Sequence, residues 1–161
     1  DAGKVLRIGL GAESVGSAAA WVAGDDRDSG LDVVQVPFGP LDPEAATDVL
    51  PACRDRGVAV WARGVLGGGL LAAAVRGDDG LRNDPKWPMI EGLRTIADDL
   101  DTDVLSLAVG FVAAHQVDAV LLGTSSAAHL RQNVRRLRDA APLPADVVAR
   151  LGALGCEGDG N

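Results

Sequence analysis

Residues 119–133 read Ala119-Val120-Leu121-Leu122-Gly123-Thr124-Ser125-Ser126-Ala127-Ala128-His129-Leu130-Arg131-Gln132-Asn133. An apolar run, Ala119 to Leu122, stops at Gly123; hydroxyl residues follow, and Leu130, Val134 and Leu137 then recur at helical spacing. The stretch therefore reads as a strand, a tight turn and a helix over Ala127 to Arg138. Ser125 or Ser126 can cap that helix by accepting a backbone N–H. The free N–H groups of the first turn, together with the helix dipole, favour an anion. The turn reads as a phosphate seat. Ordinary N-capping explains most serines at such a junction without any ligand, so both readings stand at this point.

Upstream, the same alternation repeats. Val5 to Gly9 is a β-rich run, followed by Ser14 as a cap and by Val15, Ala18, Ala19 and Val22 on one helical face. Leu31 to Val36 is a nearly continuous β-branched run of the kind buried in parallel sheets. Asp42-Pro43-Glu44 starts a helix with a kink or restart expected at Pro51 and a stop at Gly57, before a third strand over Val58 to Ala62. Gly64 to Pro88 is a long Gly- and Asp-rich connection with a short helix at Leu70 to Val75, and connections of this length are more often functional than idle. Met89, Leu93, Ile96, Ala97 and Leu100 mark one helix. A second starts at Asp103, and Pro144 to Leu154 forms the last. Four strand-then-helix units without a hairpin signal imply parallel pairing with right-handed crossovers.

The composition narrows the function. At 161 residues, 47% apolar and 24% charged, the chain is sized for one domain with a real core, and a net charge of −8 argues against nucleic acid or an anionic membrane as partner. Arg131, Arg135 and Arg138 share one helical face near its C-terminal end and read as a solvated stripe. Cys53 and Cys156 lack metal spacing, so reduced thiols and a cytoplasmic location are the simplest expectation. No apolar stretch is long enough to span a bilayer. The first residue is Asp1 and the only methionine is Met89, so the sequence is not expected to be a complete direct translation product. The expected organisation is one unit over residues 1–154 and a flexible tail over 155–161.

Two phosphate motifs fail. Gly9-Leu10-Gly11-Ala12-Glu13-Ser14 begins like a dinucleotide fingerprint, but Ser14 replaces the third glycine and no acid ends the next strand. Gly64 and Gly69 have P-loop spacing, yet Leu70-Leu71 follows where Lys-Ser/Thr is needed. His115 falls at a helix end and reads as a dipole partner, whereas His129 lies in the first turn after the serines and could face a ligand.

The order of units resembles a known family. Gly3-Lys4-Val5 to Gly9, Val34-Gln35-Val36, Arg56-Gly57-Val58-Ala59-Val60 leading to Leu66-Gly67-Gly68-Gly69-Leu70-Leu71, Lys86-Trp87, and Leu122-Gly123-Thr124-Ser125-Ser126 to Asn133 look like the C-terminal half of an aldo-keto reductase. That resemblance implies an α/β fold of four parallel strand-helix units forming half of a TIM-type (β/α)8 barrel, with sites at the C-terminal ends of its strands. It implies an NADP(H) site in which Gln35 holds the nicotinamide amide and Leu66, Gly67 and Gly69 lie along the pyrophosphate. Gly123, Thr124, Ser125, His129 and Asn133 would surround the 2′-phosphate and adenine.

The departures from the family pattern are as informative. Gly11-Ala12-Glu13 stands where the family has Ser-Asn to hold the nicotinamide amide, and Arg63 stands where an aromatic residue stacks on the ring. A guanidinium beside a ring that becomes cationic on oxidation is unfavourable. The family's catalytic Asp, Tyr, Lys and His belong to its first four units; this chain has no tyrosine, and its only lysines are Lys4 and Lys86. Carbonyl reduction is therefore expected only with a catalytic half from the same precursor or another chain. The alternatives are a non-redox half-barrel using Glu13, Arg63 and His129 as acid, anion clamp and base on a small metabolite, or a non-catalytic binding module. Four units leave the inner sheet face open, so a partner is expected: a homodimer, or a separate N-terminal catalytic half.

Overall fold

The computed structural model describes residues 3–24 and 30–155. Four strands, β1 (Gly9–Gly11), β2 (Val33–Pro37), β3 (Ala59–Arg63) and β4 (Ala119–Val120), form one sheet in chain order, and every neighbouring pair is parallel. Gly11, Gln35, Trp61 and Ala119 share one register row. Because side chains alternate across a strand, Val34, Val36, Val60 and Ala62 turn into the helix layer and are buried. Gln35, Trp61 and Arg63 turn to the opposite face. The element order implied the parallel pairing, and the architecture, α/β with four strand-helix units forming half of a TIM-type barrel, is the one the family resemblance implied.

The first strand differs from its sequence reading. It starts at Gly9 rather than covering Val5 to Gly9, and Val5, Leu6 and Ile8 are 66%, 97% and 59% exposed. The ladder fails where Asp32 turns its carboxylate onto the chain: Ile8 N–H donates to Asp32 Oδ2 at 2.8 Å, while Asp32 N–H donates to the Ile8 carbonyl at 2.7 Å. Gly9 then passes so close to β2 that a Cβ there would lie 2.3 Å from Val33 Cγ1 and 2.8 Å from the Val33 carbonyl oxygen. The last strand is shorter than Ala119 to Leu122, although Leu121 N–H still donates to the Ala62 carbonyl at 2.8 Å.

The helices follow their sequence signals closely. Ser14 and Ser17 form a capping box at the start of α1 (Val15–Ala23). A 3-10 turn at Glu44–Ala46 precedes α2 (Val49–Arg56), so the break falls before Val49 and not at Pro51. Pro51 sits in the first turn of α2, where a missing N–H costs no helical hydrogen bond. Gly57 closes α2 with φ 68°. The short α3 is Leu70–Val75, α4 is Trp87–Asp99, α5 is Val104–Ala114, α6 is Ala127–Asp139 and α7 is Ala145–Ala153. The buried face of α4 is Ile90, Leu93, Ile96 and Ala97; Leu100 falls beyond the helix and is 38% exposed. The core joins Phe38, Leu71, Ile90, Leu93, Leu107, Phe111 and Leu151 between sheet and helices.

The long connection after β3 does not cross the inner face. Its helix α3 packs on α5, and Lys86 Nζ is anchored on the Leu41 carbonyl and the Asp42 carboxylate. Trp61 stays 40% exposed and Leu121 36%. No helix among the described residues is long and apolar enough to cross a membrane. Of the expected tail, only Gly155 lies within the described residues.

Candidate functional site

Parallel strands deliver the loops after β1, β2, β3 and β4 to one rim. After β4 the chain turns through Gly123 and Thr124; Ser126 N–H donates to Thr124 Oγ1 at 3.1 Å, and Ser126 Oγ accepts from His129 N–H at 3.4 Å. Of the two candidate caps the structure uses Ser126. Ser125 is left exposed between them with its hydroxyl outside the cap.

After β3 the chain needs several left-handed residues in succession to reverse into α3. Gly67, Gly68 and Gly69 have φ of 62°, 62° and 105°, a run that only glycine tolerates without strain. Gly67 has a second reason: a Cβ would lie 2.6 Å from Leu41 Cδ1. This Leu-Gly-Gly-Gly turn sets α3 on α5, on one side of a cleft whose other side is formed by the β4–α6 turn and α6.

Between those walls lies a groove of about 240 Å³. Leu66, Gly69, Ala72, Val75 and Arg76 line one side, Gly123, Thr124, His129, Gln132, Asn133 and Arg136 the other, with Leu105 also contributing. Six of the nine residues expected around a nucleotide therefore meet here: Leu66, Gly69, Gly123, Thr124, His129 and Asn133. Asn133 is the most telling. It is the one buried residue of α6, 7% exposed, and its carboxamide has no hydrogen-bond partner among the described residues. Among the described residues no buried side-chain nitrogen or oxygen lacks a partner, so the Asn133 amide is open to the groove rather than sealed in the core.

The groove's charge is set by pairing. Arg136 Nε lies 3.3 Å from Asp103 Oδ1. Asp103 also caps α5, accepting from the Leu105 and Ser106 N–H groups at 3.0 Å each and from Ser106 Oγ at 2.6 Å. Partial burial pushes its carboxyl up, but the Ser106 hydrogen bonds and the Arg136 guanidinium together outweigh that and hold it below the usual carboxylate range. Sequence reasoning missed Arg76, Leu105, Gln132 and Arg136, whose place here depends on how α3, α5 and α6 pack.

Three expected residues lie outside this groove's lining. Gln35 stands on the inner sheet face in the row of Gly11 and Trp61, and Ala12 N–H donates to its carbonyl at 2.9 Å. Gly67 turns toward Leu41, and Ser125 is exposed on the rim. The non-redox set is divided as well. Arg63 donates from one guanidinium nitrogen to the Ala12 and Glu13 carbonyls at 2.9 and 2.7 Å, which ties β3 to the loop after β1. His129 belongs to the other groove, whose lining includes neither Glu13 nor Arg63. His115 caps α5, its Nδ1 is 2.8 Å from the Phe111 carbonyl, and its ring packs on Phe38 and Phe111. Cys53 is a buried free thiol whose pKa burial pushes up, only partly offset by Arg56. Among the described residues no cluster of His, Cys, Asp or Glu could hold a metal.

A parallel half-sheet backed by helices, with a glycine-walled groove at the strands' C-terminal rim, defines the (β/α)-barrel class of protein. The chain belongs to the aldo/keto reductase family, whose model matches residues 1–155. It is 31% identical over 155 residues to a D-threo-aldose 1-dehydrogenase of a Pseudomonas species, an alignment covering 92% of this chain and 46% of that protein. It is 26% identical over 151 residues to an aryl-alcohol dehydrogenase of Pestalotiopsis microspora, covering 84% and 38%. The chain thus spans less than half the length of either relative. Among solved structures it superposes on the holo form of the aldo-keto reductase AKR11C1 from Bacillus halodurans with a TM-score of 0.69, at 21% identity, covering 91% of this chain and 49% of that one.

Proposed function

We propose that this chain is the nucleotide-binding half of an NADP(H)-dependent carbonyl or alcohol oxidoreductase. The observation that carries the reading is the groove between α3 and α6, which gathers six residues chosen on resemblance alone and presents the unpartnered Asn133 amide. Asn133 and Gln132 offer amides to an adenine, Gly69 leaves its wall open to a pyrophosphate, and Thr124, Ser125 and His129 border the seat for a 2′-phosphate. Gln35, on the inner face, is the group for a nicotinamide amide. The nicotinamide supplies the hydride; this chain orients the nucleotide and keeps that end on the rim of the sheet.

The proton donor must come from elsewhere. The sequence contains no tyrosine, and Lys86 is engaged with Asp42. A catalytic half carrying the family's Asp, Tyr, Lys and His, on the same precursor or on another chain, would complete the barrel over the face that leaves Trp61 and Leu121 exposed. Purified alone, the chain would cover that face with a second copy, β1 of one protomer meeting β4 of its partner. A reduced cytoplasmic setting suits the free Cys53 thiol. The competing reading, a non-redox half-barrel acting on a small metabolite, draws on Arg63, whose guanidinium lies beside the loop after β1, on the Ala12 and Glu13 carbonyls.

Titration of the purified chain with NADPH, followed by nucleotide fluorescence, tests the proposal. Saturable binding that disappears in Asn133→Leu is the expected result. Absence of binding to NADPH and NADH at millimolar concentration would remove the nucleotide reading and leave the non-redox one.

A further inference from the structure

Two arginines line the groove between α3 and α6, and they differ in one respect. Arg136 is paired with Asp103 at 3.3 Å, so most of its charge is answered within the protein. Arg76, at the C-terminal cap of α3, is exposed, and its guanidinium has no hydrogen bond or ion pair among the described residues. The acids that follow it in sequence are otherwise occupied: Asp78 accepts from Gly80 N–H at 3.0 Å, and Asp79 pairs with Arg82 at 3.4 Å. Arg76 is thus the unneutralised guanidinium on a wall that faces His129, Gln132 and Asn133. The opposite wall offers the phosphate seat itself only neutral hydroxyls and an imidazole.

Resting on the nucleotide reading above, we propose that Arg76 is the residue by which this site distinguishes a nucleotide bearing a 2′-phosphate from one with a free 2′-hydroxyl. A phosphate monoester carries up to two charges and needs a guanidinium or ammonium to offset its desolvation, whereas a ribose hydroxyl needs only a hydrogen-bond partner. The charge that discriminates therefore comes from α3, the element that reaches the groove through the Leu66-to-Gly69 turn, while Gln132 and Asn133 of α6 supply the contacts common to both nucleotides. Arg76 already lines the groove from a helix end, and no internal ion pair has to be broken for its guanidinium to meet a ligand there.

The experiment is a set of titrations of the intact chain, as wild type, Arg76→Gln and Arg131→Gln, with NADPH and NADH, and with 2′-AMP and 5′-AMP as probes of the phosphate alone. Arg131 is an exposed arginine of α6 outside the groove lining and serves as the charge control. The expected result is that Arg76→Gln weakens NADPH and 2′-AMP by about tenfold or more, the scale of a lost charge-assisted hydrogen bond. NADH would change less than about twofold on the same scale, and Arg131→Gln would leave both nucleotides as in wild type. Arg76→Lys, which keeps the charge and loses the fork, should recover part of the preference. Equal weakening of NADPH and NADH, no weakening at all, or the same loss in Arg131→Gln would each overturn the inference. Failure of the wild type to bind either nucleotide would instead overturn the nucleotide reading on which it rests.

Discussion

Asp103 joins two structural roles that substitution can separate. As the cap of α5 it accepts two backbone N–H groups, and as a carboxylate it holds Arg136 of α6. Asp103→Ala removes both; Asp103→Asn keeps a capping oxygen and removes the charge. Loss of an Asp cap costs about 1 kcal/mol. The Asp103–Arg136 pair, with the Asp side chain 47% and the Arg side chain 24% exposed, is worth at most about 0.5 kcal/mol after solvent screening. Asp103→Ala should therefore lose about 1.5 kcal/mol, which for a chain of this size lowers Tm by about 3–6 °C, and Asp103→Asn about a third of that. The pH dependence has a definite sign. Asp103 is held below the usual carboxylate range in the folded state, so its charged form stabilises the fold above the unfolded carboxyl's pKa, and that contribution disappears as pH falls through the lower folded value. Urea unfolding followed by circular dichroism at neutral pH and at about pH 3, below the ordinary Asp value, should show the gap between wild type and Asp103→Asn closing in acid. Equal stabilities of the Ala and Asn variants, or a gap that persists in acid, would refute the division between cap and charge.

Four further outcomes are expected. Ser125→Glu should abolish NADPH binding while leaving stability nearly unchanged, whereas Ser126→Ala should cost about 1 kcal/mol of stability through its cap; thermal unfolding beside a binding titration separates the two. Gly9→Ala should destabilise by about 1–3 kcal/mol, because its Cβ would overlap Val33 and must push β1 off β2, measurable by the urea midpoint. The chain alone should not turn over a simple aldehyde with NADPH, and cofactor-dependent activity from it would show that the missing tyrosine is not required. Sedimentation of the purified chain should report a dimer, and Trp61→Glu on the open face should shift it toward monomer; a stable wild-type monomer would show that this face tolerates water.

Much of this protein is legible in its residues taken in order. The alternation of β-branched runs with helical periods specifies parallel pairing, since no turn between strands is short enough for a hairpin. Ser14, Asp103 and the Ser125-Ser126 pair announce helix starts, and Gly57 announces a stop, because capping is local chemistry between residues a few positions apart. The short α3 was legible from its apolar run after the glycines, whereas the grouping of Leu66, Gly69, Gly123, Thr124, His129 and Asn133 came from the family resemblance and not from local chemistry. Packing settled the rest. Only the tertiary structure shows that β1 begins at Gly9, since an apolar run such as Val5 to Ile8 says nothing about where its neighbour's ladder ends at Asp32. Only it distinguishes Ser126 as the cap, ties Arg63 to the loop after β1, and pairs Arg136 with Asp103 while leaving Arg76 unpaired. The two arginine contacts join groups tens of residues apart, and a charge or amide has the same letter in the sequence whether or not the fold supplies its partner. Periodicity and capping thus determine elements and their order; which polar groups are satisfied, and which are left facing a groove, is decided by the distances that folding creates.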